Sequence, residues 1–232
     1  MKENNITISV VIPYFKRLNL VEKILQELDL QAKNSNLKTE VLVIDSNTNS
    51  NLLDKQYESL TLKIFNTKNN ISRKRNLGIS KAKGEFIICI DDDCVPKEFF
   101  LIKHFESNKS IIKPSLFSGQ EEISPLNKEP KNFYKFRKQD IFFADINKLK
   151  NKHEIICQAR SMNFSFPSSF RNLLPSFNES FKGYGWEDPI FFKNCIDNGF
   201  QIFQTDASIM HKLEETPKSF FKKLIFNGHW SY

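Results

Sequence analysis

The sequence predicts an α/β fold with a mostly parallel central sheet flanked by helices. Three observations predict it. Apolar runs rich in β-branched residues lie at 6–12, 40–44 and 86–90, and each stops at a proline or an aspartate. Segments between the runs carry helical patterns, giving a strand–helix–strand alternation. The runs are nearly continuous in apolar residues, as strands buried on both faces require.

The elements follow in order. Residues 6–12 form a first strand closed by Pro13. Leu18, Val21, Ile24, Leu25 and Leu28 make one helical stripe over 18–30. Residues 40–44 are a second buried strand ending at Asp45, and the polar run 46–51 is a loop. Residues 62–65 are a short third strand. Residues 72–83 are basic and helical, with Ser72 as N-cap. The strand 86–90 then leads into Asp91, Asp92 and Asp93. Beyond about residue 113 the pattern loosens. Strands are expected at 111–117, 155–166 and 202–205, and a loop or insertion at 124–138. Residues 188–198 read as a helix, with Pro189 in its first turn and Gly199 at its end. With no repeat and no linker, one domain over 1–232 is expected. It divides into residues 1–112, residues 113–212 and a basic, aromatic C-terminal helix (213–232); the family resemblance carried by the motifs below implies that the first part binds nucleotide and the second the acceptor.

Composition sets bounds. The 232 residues suffice for a sizeable core, and 40% hydrophobic with 26% charged is ordinary for a soluble globular chain. The net charge of +7 suits an anionic partner such as a nucleotide or a membrane surface. No nucleic-acid-binding motif is recognised, so nucleic acid is not an expected partner. The four cysteines form no CxxC pair and fit reduced thiols in a cytoplasmic protein. Residues 1–5 are polar and lead straight into a strand, so no signal peptide is expected. No apolar stretch approaches the ~20 residues that span a bilayer. The tail 217–232 interleaves Lys222 and Lys223 with Phe220, Phe221, Phe226 and Trp230, a pattern compatible with a helix lying on the inner face of the plasma membrane or packed on the domain.

Four groups carry candidate chemistry. Three carboxylates at a strand's carboxyl end repel one another and call for a cation; ligands of open α/β sheets bind at that edge, and Mg²⁺ or Mn²⁺ commonly bridges carboxylates to phosphates. Asp45 ends the second strand of the same sheet, where a carboxylate can accept from a base or ribose hydroxyl. Arg73-Lys74-Arg75-Asn76 places cations just before the acidic strand end, where they could face a diphosphate. Gly183-Tyr184-Gly185-Trp186-Glu187-Asp188 sets an indole beside two carboxylates, an arrangement suited to a sugar: the ring packs on C–H groups, and a carboxylate near a hydroxyl can act as general base. His211 is a candidate metal ligand; His104, His153 and His229, like Cys94, have no such supporting context.

Taken together these motifs resemble the GT-A glycosyltransferases, in particular the family-2-like bacterial enzymes, over residues 6 to about 211. The opening Ser9-Val10-Val11-Ile12-Pro13-Tyr14-Phe15-Lys16-Arg17, the Arg75-Asn76-Leu77-Gly78 helix, Gly84-Glu85-Phe86 and the Asp91-x-Asp93 triplet all fall in the family's order. The 182–188 segment is similar to the acceptor motif of chondroitin-polymerase-like and β-galactosyltransferase-like enzymes. The resemblance implies the Rossmann-like GT-A fold. It also implies an inverting hexosyl- or N-acetylhexosaminyl-transferase that uses Mn²⁺ or Mg²⁺. Such an enzyme moves a sugar from a nucleoside-diphosphate sugar, a UDP-sugar, to a glycan or lipid-linked acceptor in bacterial surface polysaccharide synthesis. Pro13, Tyr14, Arg17, Asp45, Arg75, Asp91 and Asp92 would bind the donor. Asp92 carries no catalytic role in this set, because the strand pleat turns it to the side opposite Asp91 and Asp93. Asp93 and His211 would hold the metal. Asp188 would be the base and Glu187 would orient the acceptor, with Gly185 and Trp186 beside it. Two departures stand out: Cys94 replaces a further acid that many relatives carry, and Pro189-Ile190 follows Glu-Asp where chondroitin-polymerase-like enzymes have another acid. A nucleotidyltransferase making the nucleotide sugar would need a Gly-rich loop after the first strand, and 13–17 contains no Gly. A non-catalytic basic protein that binds nucleotide or nucleic acid is the other alternative.

Overall fold

The computed structural model describes residues 6–47, 56–125, 133, 145–181, 187–213 and 216–222. They build one eight-stranded sheet in the order β3-β2-β1-β4-β7-β6-β8-β5. The first four strands are β1 (Ile8–Pro13), β2 (Thr39–Asp45), β3 (Leu60–Asn66) and β4 (Phe86–Ile90), all parallel. Helices α1 (Leu18–Ser35) and α2 (Ile71–Lys81) make the crossovers. Strand β7 (Asn163–Pro167) then pairs antiparallel with β4, and β6 (Ser115–Pro125) antiparallel with β7. Strand β8 (Gln201–Leu213) runs parallel to β6, and β5 (Cys94–Pro96) antiparallel to β8. The sheet is therefore mixed, and its expected parallel character holds for the first half. Three further helices are α3 (Phe100–Asn108), α4 (Lys152–Gln158) and α5 (Glu187–Asp197).

The strands sort their side chains to two cores, one per sheet face. Val10 and Ile12 of β1 pack with Val21, Ile24, Leu25 and Leu28 of α1 and with Phe100 of α3. Val11, Leu42 and Ile44 face the other way, toward α2 and a cluster of phenylalanines. Phe164, Phe166, Phe177, Phe191 and Phe192 are all 1% exposed or less, and the Phe177 and Phe191 rings stack at 3.8 Å. Much of the chain's phenylalanine excess thus fills this second core.

Several sequence expectations are corrected. Helix α2 is capped by Asn70, whose side chain accepts from the Arg73 N–H; Ser72 lies inside the first turn and is buried. The expected strand at 111–117 begins only at Ser115 and continues to Pro125. The expected strand at 155–166 divides into α4 and β7, because Asn151 caps a helical turn before the chain extends. Residues 202–205 belong to the thirteen-residue β8, which also carries His211. Helix α3 and strand β5 carried no expectation. Helix α5 stops where expected, at Gly199 with φ of 84°.

Candidate active site

Parallel strands put the ends of β1, β2 and β4 on one edge of the sheet. The chain leaves β1 toward β2 on one side and returns to β4 on the other, so the loops after β1 and β4 part at this point and open a crevice. The acidic triplet stands at its lip. β8 runs in the same sense as β4 through β7 and β6, which brings His211 near its carboxyl end to the same edge.

Each aspartate of the triplet has its own partner. Asp91 accepts from Arg75 Nη2 through both oxygens, at 2.8 and 3.1 Å. Asp92 points the opposite way, to the loop after β1, where it accepts from the Phe15 N–H at 2.6 Å and Arg17 Nη1 at 2.7 Å. Burial lifts its carboxyl to about 6 against those two donors. Asp93 lies 3.3 Å from Arg17 and 3.7 Å from His211 Nε2. Burial pushes Asp93 up, but His211 and Arg17 outweigh it and hold the carboxyl below its usual range. Asp92 thus visibly ties the β1 loop to the β4 loop, consistent with the pleat.

Arg75 is the buried link across the crevice. It is 2% exposed, its guanidinium sits 5.2 Å above the Phe177 ring, and Nη1 reaches Asp188 Oδ1 at 3.4 Å. Burial works against its charge, yet Asp91 and Asp188 raise its pKa above the ordinary arginine value. Asp188, in the first turn of α5, also accepts from the Ser161 hydroxyl and, at 3.2 Å, from the Ser161 N–H. Glu187 beside it is buried at 7% exposure. The cationic run does not act together. Arg73 pairs with Glu179 at the surface, at 2.8 Å. Lys74 is buried and donates to the Tyr14 carbonyl, Ser46 Oγ and Asn69 Oδ1. Only Arg75 of the three faces the acidic triplet.

Asp45 closes the other end of the crevice. Its Oδ1 accepts from the Ser46 N–H at 2.6 Å, while buried Oδ2 has no partner among the described residues. An orphaned buried acceptor costs about 1–3 kcal/mol, and a ligand donor would satisfy it. Pro13 pairs with Ile44, and the Tyr14 N–H donates to the Ile44 carbonyl at 2.9 Å, so the β1 exit lies against β2. Gly185 and Trp186 lie outside the described residues.

The donor set fits a divalent cation. His211 Nδ1 contacts Glu121 Oε1 at 2.6 Å. A carboxylate behind the imidazole fixes its tautomer and leaves Nε2 to ligate. Burial disfavours a charged His211, but Asp93 and Glu121 override it and raise the imidazole to about 10; a cation at Nε2 would take the place of that proton. Cys94 completes the cluster, with ligand atoms of Asp93, Cys94 and His211 all within 4.8 Å of one another. Glu121 and Ser161 are the residues that sequence reasoning missed; they come from distant parts of the chain, and no local motif marks them. Cys94, expected to have no role although it directly adjoins the acidic triplet, joins the cluster beside its cross-strand partner His211.

Comparisons with known proteins show the family and the fold. The family model for glycosyl transferase family 2 matches residues 9–168. No curated protein matches the sequence. Among solved structures, Staphylococcus aureus TarS aligns at a TM-score of 0.59 and 16% identity, over 93% of this chain and 38% of TarS. A TarS 1–349 structure in complex with UDP-GlcNAc aligns at 0.60 and 15% identity, over 90% of this chain and 59% of that one. The chain spans less than two thirds of either, and at such identity the likeness shows the fold.

Proposed function

The chain belongs to glycosyl transferase family 2 and has the GT-A fold, and from that premise we propose that it is an inverting transferase moving a sugar from a UDP-sugar to a hydroxyl of a glycan or lipid-linked acceptor. The observation that carries the reading is the Arg75 bridge. One buried guanidinium holds Asp91 on the donor side and Asp188 on the acceptor side of a single crevice. The UDP-GlcNAc bound by a TarS structure of the same fold supports a nucleotide-sugar donor.

In this reading Pro13, Tyr14, Arg17 and Asp45 receive the nucleoside, with orphaned Asp45 Oδ2 accepting from the base or ribose. Asp91 would meet the ribose, and Asp92 holds the loop that carries Arg17. Asp93 and His211 would hold a divalent cation, Mn²⁺ or Mg²⁺ in this reading, which would supply positive charge against the departing diphosphate. Asp188 takes the acceptor hydroxyl's proton. The oxygen then attacks the anomeric carbon from the face opposite the diphosphate, the carbon–oxygen bond to UDP breaks with its electron pair leaving on UDP, and configuration inverts. Ser161 and Arg75 aim the Asp188 carboxylate, while Glu187, Gly185 and Trp186 orient the acceptor. The assembly sits as one domain, serving bacterial surface polysaccharide synthesis on the cytoplasmic side.

The test is UDP release and sugar transfer across a panel of UDP-sugars with and without Mn²⁺. Metal-stimulated turnover with at least one donor is expected, and Asp188→Asn should slow transfer by roughly 10²–10⁴ while leaving donor binding intact. No metal-stimulated turnover on any donor would overturn the proposal, and a parental rate in Asp188→Asn would remove Asp188 as base.

A further inference from the structure

Cys94 is 0% exposed and stands where the family resemblance leads one to expect an acid, yet the structure brings it into the metal cluster. The reason is strand register. Cys94 on β5 is the direct antiparallel partner of His211 on β8. Residues opposite one another across an antiparallel pair project to the same face, with Cβ atoms about 4.5–5.5 Å apart. Cys94 Sγ lies 3.5 Å from Asp93 Oδ1, and His211 Nε2 lies 3.7 Å from Asp93 Oδ2. Arg17 reaches Asp93 through Oδ2, which leaves Oδ1 on the Cys94 side. Bond lengths of about 2.0 Å to O and N and 2.3 Å to S put neighbouring ligand atoms of a tetrahedral site roughly 3.3–3.7 Å apart. The two spacings run to the two oxygens of Asp93, and one ligand atom from each of Asp93, Cys94 and His211 lies within 4.8 Å of the others, so small side-chain shifts bring one oxygen, one nitrogen and one sulfur around a single ion.

We propose that Cys94 is a third protein ligand, and that this N/O/S site takes a borderline, thiolate-accepting ion of the Zn²⁺ or Co²⁺ type in preference to Mg²⁺. The proposal rests on the reading of Asp93 and His211 as the metal side of the site. Soft thiolate selects such ions, whereas carboxylate and water alone suit Mg²⁺ and Mn²⁺. On binding, the Cys94 S–H bond breaks, its proton leaves to solvent and the sulfur's electron pair forms the bond to the ion. Glu121, accepting from His211 Nδ1–H, keeps Nε2 aimed at the same point. The loop after β4 and the cross-strand pair therefore set metal identity together.

The test is titration of the full-length chain with Co²⁺ alone, in the absence of nucleotide sugar. Its background carries Cys157→Ser, because exposed Cys157 lies 3.8 Å from His153 Nε2 and could itself take the ion. A thiolate-to-cobalt charge-transfer band in the near ultraviolet is expected, saturating at a single ion per chain. Adding Cys94→Ser should abolish the band and weaken Co²⁺ binding by roughly 10–100-fold, while Mg²⁺ binding changes little. Should the Cys94→Ser chain not fold, cadmium NMR of the Cys157→Ser chain decides: a resonance shifted downfield by one sulfur supports the proposal, and one at oxygen–nitrogen values overturns it. Cobalt binding without the band, a band that survives Cys94→Ser, or no cobalt binding would each overturn it. None of these outcomes touches the transferase reading, which is judged by turnover on UDP-sugars.

Discussion

His104 shows how one buried side chain ties stability to pH. It sits on α3 at 1% exposure, between Ser165 Oγ at 2.8 Å and Asn163 Oδ1 at 2.9 Å. Asn163 in turn donates to the Ala207 carbonyl at 3.0 Å and to the Gln120 carbonyl at 3.1 Å. The network joins α3, β7, β6 and β8. Burial holds His104 neutral and lowers it to about 4. In the unfolded chain it titrates near 6.5. Between pH 6.5 and 4 the unfolded state therefore binds a proton that the folded state refuses. The stabilisation is fully present above 6.5 and is lost as pH falls toward 4, by about 3 kcal/mol in all. His104→Gln, which keeps a donor and an acceptor, should flatten that slope. Urea midpoints of parent and variant at pH 7 and pH 5 check it; equal losses in both proteins would assign the slope to another group.

Elements show what the sequence could and could not tell. The first half of the sheet was legible because each element there carries its own signal: β1, β2 and β4 are apolar runs, and α1 has a clean helical stripe. The aspartates at the strand ends were legible for the same reason, since a strand's end fixes its edge of the sheet. Helix α3 was missed because its inward face includes polar His104 and Asn108, buried only through the Asn163–Ser165 network, so its apolar stripe is broken. Strand β5 is three residues long and means nothing until β8 lies beside it. Cys94 and Glu121 entered the site through that same long-range pairing, which no local pattern encodes. Gly78 marks the opposite case, a local residue explained only by packing. A Cβ there would lie 2.2 Å from Val11 Cγ1 and 3.2 Å from Ile44 Cγ1, so α2 rests directly on β1 and β2. Gly78→Ala gains up to about 1 kcal/mol of helix propensity. It must also push a stiff, fully buried valine, and such overpacking costs about 1–3 kcal/mol. The net expectation is destabilisation, with a Tm lower by a few degrees for a chain of this size. An unchanged or higher Tm would show that α2 can lift without penalty. Because α2 carries Arg75, a lift that did occur should also lower transferase activity.

At the scale of the whole molecule, the question is how a chain of net charge +7 meets its acceptor. Among the described residues no helix is long and apolar enough to cross a membrane. The described helical residues 217–222 offer two aromatic faces. Phe220 is 8% exposed, with its ring 5.7 Å from that of Phe133, while Phe221 is 60% exposed beside Lys218 and Lys222. One ring anchors the helical segment to the protein and the other faces outward with the cations. Each Lys or Arg near an anionic bilayer contributes about 1 kcal/mol of attraction, screened beyond about 8 Å at physiological salt. The further tail residues Lys223, Phe226 and Trp230 extend the same composition. We therefore expect the full chain to sediment with phosphatidylserine-containing vesicles at low salt, to come off as salt rises, and to stay in solution with pure phosphatidylcholine. A version ending at Glu215 should lose most of that binding while keeping turnover on a soluble acceptor. If it sediments as well as the full chain, the contact lies on the basic domain surface, and the Phe220–Phe133 packing makes the tail part of the fold.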